Sequence, residues 1–200
     1  MSLKRYPVIS GLLICIVLFN IAQHATHSTW TFFTIEKFDW SEKLVGYSLG
    51  FIGLLAAIVQ GGLIRIIIPK LGNIKSVYFG MIFYILGLSL FAFAEEEWMV
   101  FAFAIPLSLG GISGPALQGI MTNKIPDDEQ GEFQGGMTSL VSLTAIIGPL
   151  LMTNLFSYFT SENSFYYFPG APFMVGAIIS FFGLIIAVRF LSGSRGGSSI

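Results

Sequence analysis

Six stretches of this chain are almost free of polar side chains, and the polar residues collect between them. The apolar stretches are residues 8–30, 45–68, 74–94, 98–121, 135–158 and 168–191. Each is 21 to 24 residues long, against the roughly 20 that carry a helix across a bilayer. Lipid offers backbone N–H and C=O groups no partners, so such runs must be helices or strands of a closed barrel. Their length and unbroken apolarity select helices. The pattern therefore predicts an all-α membrane protein with six transmembrane helices. Lys4 and Arg5 give the first stretch the start of a signal peptide, but its apolarity outlasts a short signal core and five more spans follow. It is read as a retained helix. The Gly/Ser-rich end, residues 192–200, is expected to be a disordered tail.

Composition narrows the class. The chain is 54% hydrophobic and 10% charged, where a soluble domain carries about 25% charged residues. A net charge of −1 without a basic block gives no ground for a nucleic-acid partner. The expected partner is the lipid bilayer. With the N-terminus placed in the cytoplasm, that side holds Lys4, Arg5, Arg65, Lys70, Lys75, Lys124, Arg189 and Arg195, and the other side only Lys37 and Lys43. The asymmetry obeys the positive-inside rule and predicts a multi-pass protein of the cytoplasmic (inner) membrane with both termini cytoplasmic. Trp30, Trp40, Trp98 and the aromatic run 165–168 fall at the proposed outer boundary. The connections are too short to hold a soluble catalytic domain.

Candidate chemistry is sparse. Gly111-Ile112-Ser113-Gly114 matches the G-x-S-G pattern of intramembrane serine proteases, with Ser113 on the fourth helix. A serine nucleophile needs a base within hydrogen-bonding reach. Only His24 and His27 exist, both on the first helix, and the sixth helix holds none. Ser113 is therefore read as a small packing residue and the chain as no enzyme. His24 and His27 find no further His or Cys cluster to complete a metal site, and no cofactor is expected. Cys15 is the single cysteine, so no internal disulfide can form.

Glycine and proline say more. Gly46, Gly50, Gly53, Ala57 and Gly61 fall on one face of the second helix, and Gly110 and Gly114 repeat the spacing in the fourth. Small faces of this kind let helices approach closely in lipid. Gly114-Pro115 and Gly148-Pro149 lie inside the fourth and fifth helices, where proline removes a donor and is expected to bend them. Asn20, His24 and His27 fall at i, i+4 and i+7, one polar stripe of the first helix, and the candidates for lining a cavity are Asn20 and His24 there, Gln60 on the second helix and Gln118 on the fourth. The plain alternative is interhelical hydrogen bonding, about 0.6–2 kcal/mol each. His27, near Trp30, is assigned to the outer interface.

Several stretches share order and wording with one family. "WTFFTIEKFDW" (30–40), "VGYSLGFIGLL" (45–55), "WMVFAFAIPLSLGGISGPALQG" (98–119) and "QGEFQGGMTSLVSLTAIIGPLL" (130–151) resemble the C-terminal half of the tetracycline-resistance efflux transporters of the major facilitator superfamily. The resemblance runs over roughly residues 6 to 191, and Gln130-Gly131-x-x-Gln134-Gly135 leading into Gly148-Pro149 is its most specific part. It implies that the six helices form one half of a major facilitator fold. It also implies the C-terminal half of a tetracycline/multidrug:proton antiporter that exports a small-molecule drug beside an N-terminal six-helix half. That other half supplies the family's embedded acids and its Gly-Asp-Arg loop signature. Here the corresponding loop, residues 61–75, keeps Gly72 and basic charge but no acid. Many relatives also carry a histidine four residues before the glutamine matching Gln60, where this chain has Ala56. No span holds Asp or Glu, which leaves tetracycline as substrate and the coupling ion open. The competing reading is a truncated membrane protein that transports nothing.

Overall fold

The computed structural model describes residues 7–162 and 164–193. Nine α-helices follow among them: α1 (Pro7–His27), α2 (Trp30–Phe38), α3 (Glu42–Ile58), α4 (Ile64–Leu71), α5 (Asn73–Ala92), α6 (Glu97–Leu109), α7 (Ser113–Thr122), α8 (Gln130–Thr160) and α9 (Ala171–Gly193). Two spans are composite. A π-helical turn, Val59–Leu63, joins α3 to α4, and a 3-10 turn, Gly110–Ile112, joins α6 to α7. The result is six helical spans long and apolar enough to cross a membrane: Val8–His27, Glu42–Leu71, Asn73–Ala92, Glu97–Thr122, Asp127–Thr160 and Ala171–Ser192. The predicted class is the observed one.

The boundaries shift for local reasons. The first span stops at His27, not at residue 30, because the chain turns at Ser28 and Thr29. The Ser28 N–H donates to His24 O at 3.0 Å, and the Thr29 hydroxyl donates to Ala25 O. The second and fifth spans reach 30 and 34 residues, since their ends carry polar residues that an apolar count leaves out. Ser192 and Gly193, assigned above to the tail, end α9. Residues 194–200, the rest of the expected disordered tail, lie outside the described residues.

α2 was not anticipated, and it reshapes the end of the bundle where residues 28–41, 93–96 and 164–170 lie. It folds over that end and buries Trp30, Phe33 and Thr34. Trp30 Nε1 donates to Ser48 Oγ at 3.0 Å, and its ring meets Phe91 edge-on at 5.2 Å. Phe33 sits 4.8 Å from Phe173 of α9. Trp30 and Trp40, expected at the membrane boundary, are thus core residues, 2% and 3% exposed. Trp98 and Phe165 at the same end stay exposed, as interfacial aromatics do. Tyr167 donates its O–H to Glu36 at 3.0 Å and so ties residues 164–170 to α2. Burial, then the bond to Glu36 and its negative charge, push the Tyr167 phenol above its ordinary range.

Packing divides the helices unevenly. α1 lies against α8 and α9, and α5 lies against α6, α7 and α9. Close approach rests on glycine in α5. A Cβ on Gly80 would stand 2.6 Å from the Ser113 nitrogen, and one on Gly87 would stand 2.7 Å from Leu107 Cα. Seven residues apart, both glycines face the fourth span, and its own Gly110 closes the contact against Tyr84. Dispersion between backbones at this range is what holds helices together in lipid.

Candidate functional site

One cavity of about 510 Å³ lies among the first four spans. Phe19, Trp30 and Tyr84 supply aromatic wall, while Gln23, Thr26, His27, Gln60 and Ser108 supply polar atoms. No Asp, Glu, Lys or Arg is among its lining residues. Chemically it suits a ring-bearing solute: flat apolar faces for packing and a few polar groups for orientation.

The two irregular turns explain where the cavity sits. Gly61 and Gly62 occupy the π-turn and Gly110 and Gly111 the 3-10 turn, and the two turns touch. Pro115 has no N–H to offer the carbonyl of Gly111, so α-helical bonding fails one turn before it and the chain tightens to 3-10. A Cβ on Gly111 would stand 3.9 Å from Gln60 Nε2. Gly111 and Gln60 thus meet in ordinary contact across the cavity wall. π-turns of this sort recur at functional sites.

The residues singled out from sequence go to different places. Gln60, Gly114 and Pro115 line the cavity, as does Ala56, the position where the resemblance expects histidine. Asn20 turns its amide back to Ile16 O at 2.9 Å. His24 lies 3.5 Å from Ser28 Oγ through Nδ1, and its ring is packed on Gly148 of α8 so closely that a Cβ there would overlap it. Gln118 is exposed and is not among the lining residues. Gly148 and Pro149 sit inside one unbroken helix of 31 residues. Close approach to α1 is what Gly148 supplies. Gly114 has open space where its Cβ would be and borders the cavity. Ser113 is fully buried and donates to Gly110 O at 2.7 Å.

Sequence reasoning missed Gln23, Thr26 and Tyr84, and it placed His27 at the interface. The signal was present. Phe19, Gln23 and Thr26 follow at steps of four and three, a second stripe of α1 beside the one holding Asn20, His24 and His27.

A bundle of six apolar helical spans around an aromatic-walled cavity has the build of a membrane transport domain. The chain belongs to the Major Facilitator Superfamily, whose family model matches residues 67–199. It is 31% identical over 176 residues to the class C tetracycline resistance protein of Escherichia coli, covering 88% of this chain and 43% of that protein. It is 38% identical over 149 residues to the class E protein of the same species, covering 74% and 37%. For the class B protein of Escherichia coli the identity is 37% over 131 residues, covering 66% and 33%. The chain spans about two fifths or less of the length of these relatives. It is a multi-pass membrane protein of a transporter family.

Proposed function

We propose that this chain is the C-terminal six-helix half of a tetracycline/multidrug:proton antiporter that exports a small drug-like molecule across the cytoplasmic membrane. In this reading it works beside an N-terminal six-helix half, and both termini are cytoplasmic. Residues 1–191 form the transmembrane domain and the last residues its tail. Gln60 lines the substrate path directly. Asn20, His24 and Gln118 reach it only where the second half or a rearranged α1 brings them to it.

The observation that carries the reading is uneven coverage. Of the apolar window of each span, 44–50% is buried in the first, third, fourth and sixth, but only 6% in Glu42–Leu71 and 22% in Asp127–Thr160. Gly46, Gly50, Gly53 and Gly61, the small-residue face of the second helix, have nothing within 4 Å of a Cβ. A face made for close helix contact, left uncovered next to a cavity, fits a partner bundle closing that side.

Cysteine labelling tests orientation and cavity together, in a Cys15→Ser background. Glu96→Cys is expected to react with a membrane-impermeant maleimide from outside. Gln60→Cys is expected to react more slowly, and saturating tetracycline should protect it about tenfold or more. Labelling of Glu96→Cys from the cytoplasmic side alone would refute the orientation. Undiminished labelling of Gln60→Cys would refute the cavity. Ser113, its hydroxyl committed to Gly110 O, is expected to stay unlabelled by serine-directed fluorophosphonates; labelling that Ser113→Ala abolishes would restore the protease alternative.

A further inference from the structure

Buried hydroxyls in this bundle keep one habit. Thr29, Thr34, Ser48, Ser113 and Thr144 each donate to a carbonyl three or four residues earlier in their own segment. That bond satisfies a polar group without leaving the helix. Thr26 Oγ1 and Ser108 Oγ break the habit: both are buried and neither has a hydrogen-bond partner. Thr26 is 8% exposed. The Tyr84 hydroxyl lies beside Thr26, yet the two are not in hydrogen-bond geometry. Ser180 Oγ and Trp40 Nε1 are also without partners, but neither residue lines the cavity. Thr26 and Ser108 do, from the first and the fourth span.

A buried donor or acceptor left unmade is unfavourable, and in native proteins such groups are uncommon enough to need a reason. Here the reason is legible in the surroundings. Serine rotates among three staggered wells, and helical threonine divides between two. Either hydroxyl can therefore turn to a solute in the cavity without giving up a bond it already holds. The rest of the lining defines that solute. No Asp, Glu, Lys or Arg stands in the wall, so polar recognition there falls to hydroxyl, amide and imidazole groups. Phe19 and Tyr84, with ring centroids 4.8 Å apart, and Trp30 favour a flat ring system.

We propose that Thr26 and Ser108 are specificity-determining residues, a hydroxyl pair that hydrogen-bonds an uncharged hydroxyl or carboxamide group on the ring edge of an aromatic solute. The inference rests on the transport reading and adds to it the residues that select the ligand and the group they select. A site that hydrogen-bonds a ligand group discriminates against analogues without it, because its own polar atoms are then left unpaired.

The test uses the full chain in lipid nanodiscs, with quenching of tryptophan fluorescence read against two ring-bearing probes. Tetracycline carries hydroxyl and carboxamide groups, and N-phenyl-1-naphthylamine presents an almost wholly apolar ring edge. Thr26→Val and Ser108→Ala are each expected to weaken tetracycline binding about five- to tenfold and to leave the apolar probe within about twofold. Thr26→Ser, which keeps the hydroxyl, should bind tetracycline as the parent does, and it also controls for a fold disturbed by valine. If the parent binds both probes and neither variant weakens tetracycline, the hydroxyl pair is refuted while the transport reading stands. Equal losses for both probes would make the two residues structural and refute the pair as well. A parent chain that binds neither probe refutes the hydroxyl pair, and the transport reading is then decided separately by export from the paired halves.

Discussion

Gly87→Leu is expected to abolish the native bundle, and Gly87→Ala to destabilise it by about 1–3 kcal/mol. The contact behind this is backbone against backbone. A Cβ on Gly87 would stand 2.7 Å from both the nitrogen and the Cα of Leu107, and no rotamer change in a neighbour can relieve that. Helices α5 and α6 would have to separate by a good fraction of an ångström. The separation would be felt at Gly80, two turns away, where a Cβ would meet the Ser113 backbone. It would also loosen Gly110 from Tyr84, a cavity wall. Close packing is the main attraction between helices once all are in lipid, so the loss is not offset by hydrophobic burial. The control is Gly50→Leu in the second helix, where a Cβ meets nothing; its effect on the chain alone should lie within about 0.5 kcal/mol. Unfolding by SDS in mixed micelles, followed by circular dichroism, measures both. Equal sensitivity at Gly87 and Gly50 would show that the α5–α6 contact is not what holds the bundle.

These two glycines also show what sequence can and cannot convey. Membrane class, span number and span order follow from apolar length alone, because lipid leaves the backbone so few options. Gly46, Gly50 and Gly53 form a visible small-residue face, but the pattern does not say whether its partner lies in the same chain. Gly80 and Gly87 are seven apart and lack the four-residue spacing that draws notice, yet they make the tight contact. The cavity was half legible. Gln60 stands out as an isolated amide in an apolar span, whereas Thr26 and Ser108 look like ordinary membrane hydroxyls until their missing back-bonds are seen. Asn20 stands out for the same reason as Gln60 and proves to bond within its own helix. Polarity marks a side chain as costly in lipid; its helical phase decides which neighbour relieves the cost. α2 was invisible because its Trp, Phe and Thr residues read as the edge of a span followed by a loop.

Reconstituted alone in proteoliposomes, this polypeptide is expected to show no proton-driven export of tetracycline, and reconstituted with a six-helix N-terminal half of a class C or class E relative it is expected to gain it. Alternating access needs two bundles moving about a shared site. The cavity is lined in part by the second helix, whose apolar stretch is only 6% buried. Driving a solute uphill further requires an ion that binds two states unequally. Carboxylates inside a membrane are the usual carriers of that role, yet Glu42, Glu97, Asp127, Asp128, Glu129 and Glu132 all stand at span ends. Of the histidines, His24 is packed on Gly148 and His27 alone borders the cavity, while the position where the resemblance expects histidine is Ala56. A second copy of this chain would cover the open face but would bring no acid, so it should bind solute without pumping it. Gly50→Leu separates assembly from folding: neutral in the chain alone, it should abolish export by the paired halves, because its side chain would enter the interface. Gradient-dependent export by the single polypeptide, lost when the gradient is collapsed, would overturn the half-transporter reading. Export by the paired halves that Gly50→Leu leaves intact would move the interface away from the second helix.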